Sequence, residues 1–494
     1  MIHSQLPSDT KLKMNGLLIY LAAVFGLIFN TCAFADQAII VGGGYNIGSS
    51  QGQIELNVKW AQGILAKERL NVTTFYTDGK DPAADVHYRL SDDSEAGDQL
   101  PLVRVFSHVE NELTRYRNHT VAGVVGGTDR ESLEPILEVL LGQNNTEDTL
   151  FLYNGHGFQS QSTPDKVYLK LWNSTELSAK DLHGMLAKNQ APFRYVFTQC
   201  YSGGFHRVNY KDPEKGLDLV DTERCGFTSE SAYQLAEGCS ASIDSDDYRD
   251  YSTYFFSALS GYDRNGEIID KDPDTNLDLK VTLREAHLYT LEKAYSTDLS
   301  RSSSEDYLTS WEPWFLKWLP GSSYLPNNEY ARLYRDVAAL YEIPLEKGAT
   351  RSIRKLQKLH SNNLSQYLDD KLALEVELLD TQHQLQTRAV QRWPDLAGPY
   401  TGGFAELALN GELATINEWL SNQPEYQTLV ELERSILDID DDILDSERMV
   451  TQMFKLMRLR RLANLKQWLQ DYGSAPEIAA YEKLVACEDQ PLTQ

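Results

Sequence analysis

Between Asp36 and about Ala294, short apolar runs of strand length alternate with segments of helical periodicity, and this alternation constrains the fold more than any other feature of the chain. Strands separated by helices of that length are joined by right-handed crossovers, which gives an α/β fold with a mainly parallel sheet flanked by helices. Ala38-Ile39-Ile40-Val41 reads as a buried strand ending at Gly42-Gly43-Gly44. A helix follows, because Ile54, Val58, Ala61 and Leu65 recur on one face. Asn71 to Tyr76 reads as a second strand, closed by the turn signal Asp78-Gly79. Thr128 and Glu131 have the spacing of a capping box ahead of Leu133, Ile136, Leu137 and Leu140. Thr149 to Tyr153 and Arg194 to Thr198 are the third and fourth strands.

Beyond about Tyr295 the strand signals stop. Ile353 to Arg392 and Val430 to Tyr472 carry apolar residues at helical spacing, with Pro394, Gly398, Pro399, Gly402 and Gly403 marking a connection between them. The reading is an α/β domain over residues 36–296 and an all-helical region over 297–494, built as a bundle or a long antiparallel hairpin. That helical region is a place where a partner could dock. The basic stretch Arg458-Leu459-Arg460-Arg461 reads as a solvated helix face.

Residues 1–35 have the features of a signal peptide. Lys11 and Lys13 precede an apolar run from Leu17 to Phe29, and Ala33-Phe34-Ala35 supplies a small-x-small cleavage site. The run is short for a membrane span, which needs about 20 residues, and no later segment is apolar enough to cross. The expectation is an exported protein, periplasmic or secreted, whose mature chain begins near Asp36. Its formal net charge of −26 would repel phosphate backbones, so nucleic acid is not an expected partner. In an oxidising compartment the remaining cysteines, Cys200, Cys225, Cys239 and Cys487, favour pairing. Cys225 and Cys239 are close in sequence and form the candidate disulfide, with two buried thiols as the alternative.

Two motifs carry chemistry. Leu150-Phe151-Leu152-Tyr153 leads into Asn154-Gly155-His156-Gly157, and Tyr195-Val196-Phe197-Thr198-Gln199 leads into Cys200-Tyr201-Ser202-Gly203-Gly204. Each is an apolar strand that runs into a reactive residue set near glycines. Ligands of open α/β sheets bind at the carboxyl ends of the strands, so imidazole and thiol are expected on one edge. The imidazole can lower the thiol pKa or accept its proton. Backbone N–H groups of Gly157 and Cys200 could hold the oxyanion of an acyl-transfer intermediate. Ser202 is a weaker nucleophile candidate than the thiol two residues before it. His183, His206 and His287 read as surface or partly buried histidines.

Taken together, a strand ending in His-Gly and a later strand ending in Cys-x-Ser-Gly resemble the caspase/legumain/gingipain clan of cysteine peptidases. The 44-residue separation of His156 and Cys200 suits that clan (200 − 156). The resemblance covers roughly Ala38 to Tyr289. It implies that His156 is the acid/base, Cys200 the nucleophile and Gly157 an oxyanion contributor. Asn46 matches a loop position where legumains carry a residue that orients the histidine. The chain also departs from its relatives. Legumains carry an acidic residue, and caspases a glutamine, two positions before the cysteine; here that residue is Thr198, so neither cleavage preference carries over.

The resemblance implies hydrolysis of protein or peptide substrates through a thioester, with no redox cofactor required. A transpeptidase would use the same dyad, and a non-catalytic binding protein on this fold is the reading from another class. Asp274, Asn276, Asp278, Thr282 and Glu285 fall at positions 1, 3, 5, 9 and 12 of an EF-hand-like loop, which makes calcium a candidate ligand. Leu279 stands where such loops carry glycine, and the other reading is an acidic loop capping a helix.

Overall fold

The run Ala38–Val41 is fully buried, and its strand lies inside the sheet rather than at an edge. The computed structural model describes residues 36–90, 100–107, 113–142, 145, 147–163, 166–244, 246, 248–314, 325–398 and 402–493. The expected signal peptide, residues 1–35, lies outside them. In chain order the strands are β1 (Gln37–Gly43), β2 (Asn71–Tyr76), β3 (Val86–Arg89), β4 (Thr114–Arg117), β5 (Val124–Gly126), β6 (Thr149–Gln159), β7 (Val167–Leu171), β8 (Thr175–Ser178), β9 (Phe193–Phe197), β10 (Arg224–Thr228) and β11 (Arg301–Ser302). The main sheet runs β11-β10-β9-β6-β1-β2-β5. Every neighbouring pair on this path is parallel except β10 with β11, as the alternating sequence requires. β7 and β8 extend it as an antiparallel wing on the far half of β6, and β3 pairs only with β4.

Alternation along each strand sorts the side chains to two buried faces. Ala38, Ile40, Leu150, Leu152, Val196 and Phe227 meet the helices Gly52–Lys67, Tyr251–Ser260 and Leu283–Lys293. Ile39, Val41, Phe151, Tyr153, Tyr195 and Phe197 meet Arg130–Leu140 and Ala179–Leu186. Ile54, Val58, Ala61 and Leu65 face the core from the first of these helices, as their spacing predicts. The cap of Arg130–Leu140 differs by one residue from the expected box. Asp129 accepts from the Ser132 amide at 3.0 Å. Thr128 instead bonds through its amide to the Thr77 carbonyl at 2.8 Å, continuing the sheet edge.

The helical region contains the long pair Ala349–Arg392 and Pro424–Tyr472, which pack against each other along the connection marked by Pro394. It is built into the α/β core. β11 joins the sheet past residue 296, and the helix Ser303–Trp311 starts directly from it. The basic stretch is a docking face, which corrects the solvated reading. Lys455 is buried and donates to the Ala294 carbonyl. Arg458 pairs with the fully buried carboxylate of Glu305, Arg461 with Glu312 and Lys466 with Glu329. Burial alone would raise the Glu305 carboxyl, but Arg458 and His287 bring it down to about 2. His287 is itself buried, 3.3 Å from Glu305, and His206 is buried between Tyr195 and Thr228, so neither is a surface histidine.

The disulfide joins Cys225 to Cys487, with Cα atoms 6.0 Å apart across 262 residues. The Cys225–Cys239 pairing is thereby corrected. Cys225 projects from β10 into a core shared with the C-terminal helix Ala475–Glu488, whereas Cys239 stands at a different site. The chain end is pinned as well. Buried Arg194 bonds the carbonyls of Gln490, Pro491 and Leu492 and the Asp148 carboxylate. Glu488 is buried against Ser303, Ser304 and the Arg284 guanidinium.

Two outcomes follow from this closure. A crosslink spanning so long a loop restricts the unfolded chain by about 5 kcal/mol in the loop-entropy picture. Cys487→Ser is therefore expected to lower the urea midpoint markedly, and an unchanged midpoint would show that this bridge adds nothing. Burial pushes the Glu488 carboxyl up to about 7, against an ordinary value of 4.5. The folded state then holds a proton that the unfolded state has released, so this group's stabilisation is full below 4.5 and is lost as pH rises through about 7. Unfolding curves of Glu488→Gln across that window should fall less steeply with pH than those of the wild type.

Candidate active site

The register of β6 on β9 brings the two motifs together. Tyr153 pairs with Phe197, and His156 and Cys200 each lie three residues further on (156 − 153; 200 − 197). Past Tyr153 the two strands part. β6 continues, pairing His156 with Lys170 of β7, while Tyr201 takes a left-handed conformation (φ 58°) that turns the other chain away. The Tyr153 hydroxyl lies at this fork, 2.9 and 2.7 Å from the carbonyls of His156 and Lys170, which share its one proton. A Cβ on Gly157 would lie 2.0 Å from the Cys200 carbonyl oxygen, so only glycine allows the imidazole-bearing strand this close to the cysteine turn.

The imidazole has a defined tautomer. Its Nε2 lies 2.8 Å from the Ser49 carbonyl and 3.0 Å from Gln51 Oε1, both acceptors, so Nε2 carries the proton and Nδ1 presents a lone pair. The Tyr45 ring meets it edge-on at 5.5 Å. Burial lowers the His156 pKa, which keeps the imidazole neutral. The orienting role assigned to Asn46 falls instead to Ser49 and Gln51. Asn46 holds the turn that presents them, its carbonyl accepting from the Ser49 amide and hydroxyl. A backbone carbonyl as orienter leaves no trace in residue type, which is why the sequence did not reveal it.

The Cys200 sulfur is half-buried and accepts from the Ala236 amide at 3.3 Å. Burial raises its pKa, so the dyad rests as a neutral pair. Ser202 faces the interior, bonded to Ser229 and to the Glu230 amide, and presents no hydroxyl to the site. Thr198 is nearly buried and is satisfied by Asn154 and the Tyr153 carbonyl. A second thiol completes the arrangement: Cys239 Sγ stands 3.8 Å from His156 Nδ1, on the face of the ring that accepts a proton.

The acidic loop closes on itself. Asp274 accepts from the amides of Leu277 and Leu279, and Glu285 from those of Thr275 and Thr282, the latter in the capping box of helix Leu283–Lys293. Asn276 donates to Asp278 at 3.0 Å. Leu279, at the position that favours glycine, takes a left-handed φ of 68°. Among the described residues, the potential metal-ligating side chains whose donor atoms do converge are Asp78, Asp85 and His119, beyond the end of β2. There Asp85 takes the His119 amide at 2.6 Å and its Nδ1 at 2.7 Å, and burial beside Asp85 pushes Asp78 up to about 6. Nothing in the spacing of these three residues marks them in sequence.

No protein-family model matches the chain, and no curated protein matches it.

The contact under Gly157 gives a direct test. Gly157→Ala must displace the Cys200 backbone, at a cost of about 1–3 kcal/mol for overpacking a tight site. The expected result is a lower melting temperature together with a changed rate of Cys200 alkylation. Wild-type values for both would show that the close approach is not required.

Proposed function

We propose that this protein is an exported cysteine endopeptidase of the caspase/legumain/gingipain type, with His156 and Cys200 as its dyad. The observation that supports the reading is the imidazole held by Ser49 and Gln51, with its Nδ1 lone pair turned toward Cys239, on strands whose register places Cys200 three residues past the last β6–β9 pair. A buried histidine kept for packing would not need two acceptors on one nitrogen and a thiol at the other.

In this mechanism Nδ1 takes the Cys200 proton as the sulfur attacks the substrate carbonyl, and the thiolate–imidazolium pair exists only during reaction. The backbone N–H groups of Gly157 and Cys200 hold the developing oxyanion. Collapse of that intermediate breaks the peptide C–N bond and forms a thioester, and the imidazolium gives its proton to the departing amine. Water, deprotonated by the same nitrogen, then releases the acid and regenerates the thiol. Segment 232–242 has to move for a substrate to reach the dyad, because Ala236 and Cys239 occupy the faces of sulfur and imidazole that react.

The experiment is cleavage of a diverse fluorogenic peptide library by the wild type beside Cys200→Ala and His156→Ala. Cleavage is expected from the wild type alone, and persistence in Cys200→Ala would overturn the dyad. Because burial lowers the His156 pKa, the acid limb of kcat/KM should fall below the ordinary histidine value of about 6.5. An acid limb above that value would place the titrating base elsewhere.

A further inference from the structure

We propose that Cys200 and Cys239 form a reversible disulfide that locks segment 232–242 across the dyad, making this site a redox-controlled one. Both cysteines are free thiols with half-buried side chains, while Cys225 and Cys487 are already bonded to each other. The two free thiols share one small space. The Cys200 sulfur accepts from the amide of Ala236, three residues before Cys239, and the Cys239 sulfur lies 3.8 Å from His156 Nδ1 on the neighbouring strand.

The segment that carries Cys239 is held at both ends. The Ala232 carbonyl accepts from Gln159 Nε2 at 2.8 Å, and the Gln234 carbonyl from the Tyr201 amide at 2.9 Å. Beyond Cys239, the Ser240 amide donates to Gln53 Oε1 at 2.8 Å. Between these anchors Tyr233, Gln234 and Leu235 are exposed, so a small oxidant can approach from solvent. The anchoring keeps the second thiol beside the first, which raises its effective concentration for exchange.

The chemistry balances with a low-molecular-weight disulfide as oxidant. One thiol attacks the oxidant as its thiolate and forms a mixed disulfide, releasing one thiolate. The second protein thiolate attacks that mixed disulfide, the protein S–S bond forms, and a second small thiolate leaves. The two protein sulfurs are oxidised, the two oxidant sulfurs are reduced, and the two protons end on the released thiols. His156 Nδ1, 3.8 Å from Cys239, is placed to accept the proton from that thiol during the second step. In the locked state the nucleophile is consumed and the segment cannot leave; a dithiol reductant reverses both.

The test is non-reducing peptide mapping of the wild-type protein and of Cys239→Ser after equilibration with oxidised glutathione, with and without later dithiothreitol. The expected result in the wild type is a peptide pair linked through Cys200 and Cys239, with loss of two hydrogens and of both alkylatable thiols, restored by reductant. In Cys239→Ser, Cys200 should carry a glutathione adduct instead. Separate glutathione adducts on the two wild-type cysteines, or two thiols that stay free, would overturn the proposal. Peptide cleavage measured on the same samples keeps the two readings apart. A linked pair in a protein that cleaves nothing in either state would remove the peptidase reading and leave the disulfide standing.

Discussion

β6 pairs with β9 in parallel as far as Tyr153 and Phe197 and then leaves it, and the geometry of the site depends on that departure. Parallel register sets the two chains level at that last pair, and His156 and Cys200 each follow it by three residues. A buried tyrosine hydroxyl sits at the fork, within hydrogen-bond distance of the His156 and Lys170 carbonyls. Gly157 then lets the two backbones touch where a side chain would force them apart. The approach of the two motifs thus begins in backbone pairing. Side-chain contacts refine it: Ser49 and Gln51 select the tautomer, and the loop carrying them follows directly from β1, the strand on the other side of β6.

The helical region depends on the same sheet. Its attachment combines a covalent bridge at Cys225, hydrogen bonds from Arg194 to the chain end, and a set of charges taken out of water at the interface. Isolated buried charges would be strongly destabilising, and ion pairing offsets the loss of hydration only where further hydrogen bonds complete the geometry. Glu305 meets that condition, with Arg458 and His287 on its oxygens and the Ser302 amide beside them. Removing one partner from such a group costs more than the pair itself contributes. This explains how a strongly acidic chain retains a basic helix face: that face is matched to carboxylates at Glu305, Glu312 and Glu329 on neighbouring elements.

Periodicity was enough to place the four central strands, the first helix and the two long helices, because each buries a continuous apolar face whose spacing is visible in the residues. The placement of the two motifs on neighbouring strands was also legible, since a histidine between glycines and a cysteine before a glycine turn are poor core residues. What the sequence could not reveal is contact between distant segments. Cys225 finds Cys487 across almost the whole second half of the chain, while Cys239, its neighbour in sequence, lies against His156. The cap at Asp129 was displaced by one residue because Thr128 is claimed by a tertiary hydrogen bond to Thr77. Arg458 reads as a surface residue by composition and is buried by a partner 153 positions earlier.

The same long-range contacts link the accessory helices to the chemistry. Glu237, between Ala236 and Cys239, accepts from Arg448 on the helix Pro424–Tyr472 and from the Ser296 hydroxyl and Thr297 amide at 3.0 and 2.8 Å. Its own amide donates to buried Asp298, which also accepts from the first amide of helix Tyr251–Ser260. The Arg448–Glu237 pair thus joins the long helix to the segment that carries Cys239, beside the bonds that Glu237 makes to Ser296, Thr297 and Asp298. The helical hairpin is thereby tied to the loop beside His156 as well as to the sheet whose two faces are already covered.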